Sequence, residues 1–377
     1  MKIVTILGTR PEIIKLSPLF HLLDEDPEIE HVVIHTRQHY DYRMDRIFFQ
    51  ELGTNYPRRN IPLNVGSSSK GPIKQIAEML VNIEEVLIKE KPDQVIVFAD
   101  PNTPLAGALV AHEHNFQIIH LEAGCRSFNK QMPEERNRIA CDHWADLLLA
   151  PDEEACRNLL REGLSFEKIY IVGSTAIEVS LRNVEFARKR PLTFEELRTD
   201  ERIDFKKDEF ILMTIHRAEN TDNFEVLKGL MEAVCEIANH IPVIFPIHPR
   251  TKKILIEHGE YEKLSNKIKI IEPQGYLDFL NLLDNCLFVM SDSGGIQEEA
   301  AALNTPCLIL RNETEWTYLV DAGKNLLIGV DKEKIIGTAV YLINNREGIQ
   351  RIKNIPLNLN TNVSQKIIEV IKNESKR

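Results

Sequence analysis

At 377 residues the chain exceeds what one ordinary hydrophobic core supports, so two domains are expected. Its 43% hydrophobic and 27% charged residues describe a globular protein, and a formal net charge of -11 argues against a general nucleic-acid or anionic-membrane surface. An anionic ligand would therefore need a local basic site. The six cysteines are scattered without metal-type spacing, no apolar run approaches a membrane span, and the N-terminus does not read as a signal peptide. A cytoplasmic protein with reduced thiols is the expectation, binding neither nucleic acid, membrane nor metal.

In chain order, Lys2–Leu7 reads as a buried strand that ends in Gly8-Thr9-Arg10-Pro11-Glu12, with a helix from there to about Leu23. Pro11 suits the first helical turn, where its missing amide costs nothing. Arg10 and Lys15 then project near the carboxyl edge of the strand, where ligands bind in open α/β sheets. A strand at Glu30–His35, a helix from about Tyr42 to Leu52, an amphipathic helix at Ile73–Glu90 and a buried strand at Gln94–Phe98 follow. Strands alternating with helices imply a parallel, doubly wound sheet.

Acids gather just past the strand ends. Gln94–Phe98 leads into Ala99-Asp100-Pro101, Gln117–Leu121 leads into Glu122-Ala123-Gly124, and a Pro-led helix start carries Glu134. Any one of these alone reads more readily as a solvated or capping acid. Asp100, Glu122 and Glu134 converging on one sheet edge fit an acid/base set better. Leu147–Leu149, a helix near Glu153–Glu162 and Ile169–Val172 complete the first sheet. The charged segment Arg188–Lys207 reads as the interdomain connection.

The second half repeats the plan from a strand at Phe210–Thr214, which runs into His216-Arg217-Ala218-Glu219-Asn220 before a helix to about Ala238. Further strands fall at Val243–Ile247, Ile268–Ile271, Leu287–Ser291 and Cys307–Leu310. The predicted domains are 1–180 and 181–362, with a helix over 363–377 returning to the first. In Ser291-Asp292-Ser293-Gly294-Gly295, Ser293 occupies an N-cap position, and the two glycines bare the backbone to a ligand. Such a helix start suits a phosphate or diphosphate, and Glu299, on the same helix face, suits a ribose. An ordinary capped helix would show the same residues, so this stretch alone leaves both readings open. His216, and less strongly His248, end strands on the same edge; a structural histidine is the competing reading for each. Gly8-Thr9-Arg10-Pro11 lacks the second and third glycines of a dinucleotide fingerprint, so no NAD is expected.

Gly8-Thr9-Arg10-Pro11-Glu12, Glu122-Ala123-Gly124, Pro133-Glu134-Glu135-Arg136-Asn137-Arg138, His216-Arg217-Ala218-Glu219-Asn220 and Ser293-Gly294-Gly295-Ile296-Gln297-Glu298-Glu299 together resemble the UDP-N-acetylglucosamine 2-epimerases. The resemblance covers almost the whole chain. It implies the GT-B fold, two Rossmann-like doubly wound domains facing each other across a cleft, with UDP mainly on the second. It further implies Asp100, Glu122, Glu134 and His216 as the catalytic set. Arg10, Lys15, His216, Ser293, Gly294, Gly295 and Glu299 are its implied nucleotide-sugar contacts. A cofactor-free homodimer acting in polysaccharide biosynthesis is expected. The competing activities are a hydrolysing epimerase, which releases N-acetylmannosamine and UDP, and a GT-B glycosyltransferase.

Three departures from the family stand out. Ala99-Asp100-Pro101 replaces Gly-Asp-Thr. Gln38-His39-Tyr40-Asp41-Tyr42-Arg43-Met44 departs from the stretch of members that carry an activating second substrate site. Thr314-Glu315-Trp316-Thr317 replaces Thr-Glu-Arg-Pro.

Overall fold

Apolar strands separated by helices return the chain repeatedly to one sheet edge, which makes parallel pairing the natural outcome. The structure, a computed structural model, describes residues 1–36, 58–63, 65, 71–199, 201–357 and 359–375. The expected helix at Tyr42–Leu52 and the departure at Gln38–Met44 lie outside the described residues. Two compact units emerge: Met1–Val179 with Asn360–Arg377, and Ser180–Leu359.

In the first unit the strands are β1 (Lys2–Leu7), β2 (Glu30–His35), β3 (Asn60–Pro62), β4 (Gln94–Phe98), β5 (Gln117–Leu121), β6 (Leu147–Ala150) and β7 (Ile169–Ile171). They form one parallel sheet in the order β3-β2-β1-β4-β5-β6-β7. The helices are α1 (Arg10–Glu25), α2 (Pro72–Glu90), α3 (Asn102–Glu113), α4 (Pro133–Trp144), α5 (Glu153–Arg161) and α6 (Thr175–Ala187), the last running into the second unit. Side chains alternate between the two sheet faces, as strand geometry requires. Val4, Ile6, Val95 and Val97 join the cluster containing Met79, Ile83 and Leu87 of α2. Ile3, Leu7, Ile96 and Phe98 join Leu16, Leu19, Phe20 and Leu23 of α1. The C-terminal helix at Val363–Glu374 contributes Val363, Ile367, Ile368 and Ile371 to that second cluster. Its Ser364 amide and hydroxyl donate to Glu178 Oε2 at 2.9 and 2.6 Å.

The second unit begins with a short antiparallel pair, β8 (Thr193–Glu195) and β9 (Arg202–Asp204). Its parallel sheet comprises β10 (Ile211–Thr214), β11 (Val243–Pro246), β12 (Lys269–Ile271), β13 (Val289–Ser291), β14 (Cys307–Ile309) and β15 (Asn325–Leu327). Their order is β12-β11-β10-β13-β14-β15. Helix α7 (Phe224–Ile237) buries Leu227, Leu230, Met231 and Val234 against Ile211, Met213 and Phe245. This corrects the reading of Arg188–Lys207 as the interdomain connection. The segment belongs to the second unit, because its charges find partners there: Arg188 Nε bonds Asp284 Oδ2 at 2.8 Å and Arg190 Nη1 bonds Asp278 Oδ2 at 2.7 Å. Among the described residues no helix is long and apolar enough to cross a membrane.

Candidate functional site

In the first unit, β1 stops at Leu7 and α1 starts at Arg10, with Thr9 as N-cap and Pro11 in the first turn. Glu12 Oε2 accepts the amides of Gly8 and Thr9 at 3.0 and 2.6 Å, closing a capping box around the turn. Burial pushes the Glu12 carboxyl up to about 7; the bonds from Thr9 and Gly8 oppose the rise and the nearby Asp100 charge adds to it. One turn along α1, Lys15 Nζ meets Glu122 Oε1 at 2.7 Å and lies 5.4 Å from the centroid of the Phe98 ring. Arg10 is half-buried at the helix start.

Asp100 and Glu122 follow the adjacent strands β4 and β5, and both turns are strained. Ala99, just before Asp100, has φ +58°, and Glu122 itself has φ +61°. A non-glycine residue in this region costs about 1–2 kcal/mol, so the surroundings must enforce it. Asp100 Oδ2 accepts Arg138 Nε at 2.8 Å and Nη2 at 2.5 Å, while Arg138 Nη1 donates to Glu135 Oε2 at 2.8 Å. The Glu135 carboxylate also accepts the Ser127 amide and hydroxyl and the Phe128 amide. Asn137 Nδ2 donates to the Asp100 carbonyl at 2.9 Å. Thus α4, whose Pro-led start also carries Glu134, holds the Asp100 turn through Arg138 and Asn137. Glu134 is half-buried, and its carboxylate makes no hydrogen bond or ion pair among the described residues.

Behind these turns lies a buried polar chain. His120 Nε2 donates to the carbonyl of the strained Ala99 at 3.0 Å, and Nδ1 lies 2.6 Å from Asp142 Oδ1. Asp142 Oδ2 is 2.6 Å from Arg126 Nη2 and accepts the Gly124 amide at 3.1 Å. Burial pushes the Asp142 carboxyl up, but His120 and Arg126 outweigh it and hold the group below its ordinary value. Glycine is required at 124: φ is +81°, and a Cβ would stand 2.2 Å from the Ala155 carbonyl oxygen.

In the second unit the turns after β10 and β13 are organised by one buried carboxylate. Asp292 Oδ2 accepts the amides of His216 and Arg217 at 3.1 and 2.9 Å and Asn220 Nδ2 at 3.2 Å. His216 Nδ1 lies 3.5 Å from Asp292 Oδ1. Crowding by protein pushes the His216 pKa down, Asp292 pulls it back, and Arg217 adds to the fall. The ring side chain is still 38% open to solvent. Thr214 and Ser291 share a hydroxyl hydrogen bond of 2.7 Å, and the Ser293 amide donates to Ser291 Oγ at 3.0 Å.

Helix α8 (Gly294–Ala302) starts here, with Ser293 as N-cap. The expected capping bond is absent: the Ser293 side chain accepts no hydrogen bond from the first turn. Ser293 is an N-cap by backbone position only, so its hydroxyl does not satisfy the helix's first amides. Arg217 Nη2, Trp316 Nε1 and Glu315 Oε2 stand 3.3, 3.8 and 3.9 Å from where a Gly294 Cβ would lie. The Thr314-Glu315-Trp316 segment is fixed to this helix by Thr314 Oγ1, which donates to Gln297 Oε1 at 2.5 Å. Gly295 lies in the first turn of α8, and Glu299, further along it, is half-buried; burial raises the pKa of the Tyr276 phenol and the Glu299 charge adds to the rise. His248 caps a different helix, Pro249–Glu257, by accepting the Arg250 amide at 3.2 Å. Its ring centroid is 5.8 Å from that of His216.

The structure therefore pairs Lys15 with Glu122 and Asp100 with Arg138 in the first unit, and groups His216, Arg217 and Gly294 in the second. Sequence reasoning missed Arg138, Glu135, His120, Asp142 and Asp292 as organisers. The spacing of Glu135 and Arg138, three residues apart on one helix, was the available signal. Among the described residues no group of three or more His, Cys, Asp or Glu is arranged to hold a metal ion.

Comparison with known proteins follows the same lines. The family model described as UDP-N-acetylglucosamine 2-epimerase matches residues 21–372. The UDP-N-acetylglucosamine 2-epimerase of Methanocaldococcus jannaschii is 48% identical over 350 residues, 92% of this chain and 93% of that one. A UDP-2,3-diacetamido-2,3-dideoxy-D-glucuronate 2-epimerase of Pseudomonas aeruginosa is 39% identical over 341 residues, covering 90% and 91%. A crystal structure of the M. jannaschii enzyme in complex with UDP-GlcNAc and UDP superposes with a TM-score of 0.86 at 44% identity, covering 99% of both chains.

Proposed function

The chain belongs to the UDP-N-acetylglucosamine 2-epimerase family, and on that premise we propose how its residues invert carbon 2 of UDP-GlcNAc to give UDP-ManNAc. The fold is of GT-B type, with two Rossmann-like domains, and the activity is that of a non-hydrolysing isomerase. The proton on carbon 2 is not acidified by an adjacent carbonyl, so direct abstraction by a carboxylate is very unfavourable. Anti elimination solves this. The bond from carbon 1 to the β-phosphate oxygen breaks with its electron pair going to UDP, the carbon 2 proton passes to a base, and 2-acetamidoglucal forms. UDP then returns to carbon 1 while a proton reaches the opposite face of carbon 2.

Asp100, Glu122 and Glu134 supply the acid and base groups, each contributing about 10²–10⁴-fold. Support comes from one observation above the rest. Two carboxylates at the ends of neighbouring strands sit in strained turns, each fixed by its own cation, Lys15 or Arg138. That arrangement aims charge rather than neutralising it at random. His216, Arg217 and the Ser293-Gly294-Gly295 helix start take the departing diphosphate, with Glu299 on the ribose and Arg10 a further cation for the phosphates. Lys15 serves the sugar nucleotide and holds Glu122. No redox cofactor or metal enters this route. The proposal extends to a cytoplasmic homodimer serving polysaccharide biosynthesis, for which light scattering should give twice the 43.3 kDa chain mass.

The test is incubation with UDP-GlcNAc followed by proton NMR. UDP-ManNAc is the expected product; accumulation of free N-acetylmannosamine with UDP instead would establish the hydrolysing reaction. Competition with the diacetamido-uronate nucleotide, whose epimerase the P. aeruginosa relative is named for, decides which sugar is preferred.

A further inference from the structure

We infer that the ring of Phe128 is a platform for the sugar, receiving the apolar C–H face of the hexosamine. The inference rests on the proposal that Asp100 and Glu122 act on that sugar. Phe128 has φ +60°, in the left-handed region that a bulky aromatic residue rarely adopts. Packing does not explain it, because Phe128 is 67% exposed. Other large hydrophobic residues are as open, among them Ile73 at 76% and Phe166 at 70%, but neither has a positive φ. Glycine would satisfy this backbone without strain, and a polar residue would satisfy this exposure without cost. Phenylalanine does neither, which leaves the ring itself as the feature that needs an explanation.

The backbone is held there deliberately. The Phe128 amide donates to Glu135 Oε1 at 2.9 Å, and the Ser127 amide donates to Glu135 Oε2 at 2.9 Å. Through Glu135 Oε2 the same carboxylate binds Arg138, which in turn binds Asp100. One carboxylate and one guanidinium therefore connect the strained residue to a proposed catalytic acid. The loop also closes on itself, with the Met132 amide donating to the Asn129 carbonyl at 3.0 Å. A hexosamine presents hydroxyl and acetamido groups for acids to bind and a face of C–H bonds that they cannot hold. An aromatic ring holds such a face by dispersion and weak C–H contacts.

Substitution by Asn, Gly and Tyr tests this, reading melting temperature, kcat, KM for UDP-GlcNAc and the inhibition constant of UDP. Phe128→Asn tolerates the left-handed backbone without a ring, and Phe128→Gly removes the strain altogether. Both should melt within about 2 °C of wild type or above it. Both should lose about 10-fold or more in kcat/KM, mainly through KM, while UDP inhibition stays within about 2-fold. Phe128→Tyr should keep kcat/KM within about 3-fold. Wild-type kcat/KM in Phe128→Asn, or a Phe128→Tyr variant as impaired as Phe128→Gly, overturns the inference. A fall of several degrees in melting temperature together with weaker UDP inhibition assigns the ring to packing and also overturns it. Asp100→Asn, run beside them, separates the two layers. Full turnover in that variant overturns the catalytic assignment of Asp100, whereas full turnover in Phe128→Asn alone overturns only the role of the ring.

Discussion

The two units place their loops at equivalent sheet edges yet build them by opposite means. In the first, the turns after β4 and β5 contain Ala99, Glu122 and Phe128, all at positive φ, and the carboxylates there are individually tied to cations. In the second, the turns after β10 and β13 hold no residue at positive φ, and one buried carboxylate, Asp292, collects successive backbone amides. Strain and paired charges fix where a carboxylate points, which proton transfer at a single carbon demands. The amides gathered by Asp292 are already engaged and hold His216 and Arg217 beside the start of α8, which on the proposed reading is where a diphosphate would sit. The proposed division of labour, proton transfer in the first unit and diphosphate binding in the second, thus has a counterpart in the backbone of each.

The largest effect should come from the first unit. Asp100→Asn and Glu122→Gln keep shape and hydrogen-bonding capacity, and each should depress kcat by about 10²-fold or more while leaving UDP affinity nearly unchanged. Should Asp100→Asn turn over near the wild-type rate while Glu122→Gln is dead, the Ala99-Asp100-Pro101 turn is a structural variant and the comparison loses one of its acids.

Next comes the electrostatic cost held at Glu12. Its carboxyl titrates near 7 in the folded chain against an ordinary 4.5, so the folded state retains a proton that the unfolded chain has released. Stability should therefore fall as pH rises from about 4.5 to about 7, by on the order of 3 kcal/mol. Glu12→Gln should flatten that slope in denaturant titrations across the same range; an unchanged slope would show that Glu12 titrates normally.

The second unit should answer in binding. His216→Ala should weaken UDP by roughly 1.5–3 kcal/mol, the range for a hydrogen bond to a charged group, and calorimetry showing unchanged UDP affinity would remove it from the site. Smallest of all is Ser293→Ala. Since this hydroxyl makes no capping bond, the variant should lose less than about 0.5 kcal/mol of stability, where a working cap would lose about 1.

Much of this fold was legible because its strands are short apolar runs buried on both faces, bounded by turn residues, and β1, β2, β4 and β5 fall where the pattern places them. Helix α3 was not, since Thr103, Pro104, Ala106, Gly107, Ala108, Val110 and Ala111 are all buried and leave little polar face to give a 3.6-residue period. Arg188 and Arg190 misled because their partners, Asp284 and Asp278, lie about ninety residues away. The candidate acids were visible as residues after strand ends. Asp142 and Asp292 were not recognised as organisers, because an acid's sequence neighbours do not reveal that it is buried and surrounded by donors. Ser293 shows the converse failure, an N-cap residue in the right place whose side chain does not cap.

The central claim is that a proton leaves carbon 2 and another returns on the opposite face. Turnover of UDP-GlcNAc to equilibrium in deuterium oxide, followed by proton NMR of the sugar, tests it most directly. The account predicts loss of the carbon 2 proton signal in UDP-ManNAc and its progressive loss in recovered UDP-GlcNAc. UDP-ManNAc formed with its carbon 2 proton fully retained would contradict it.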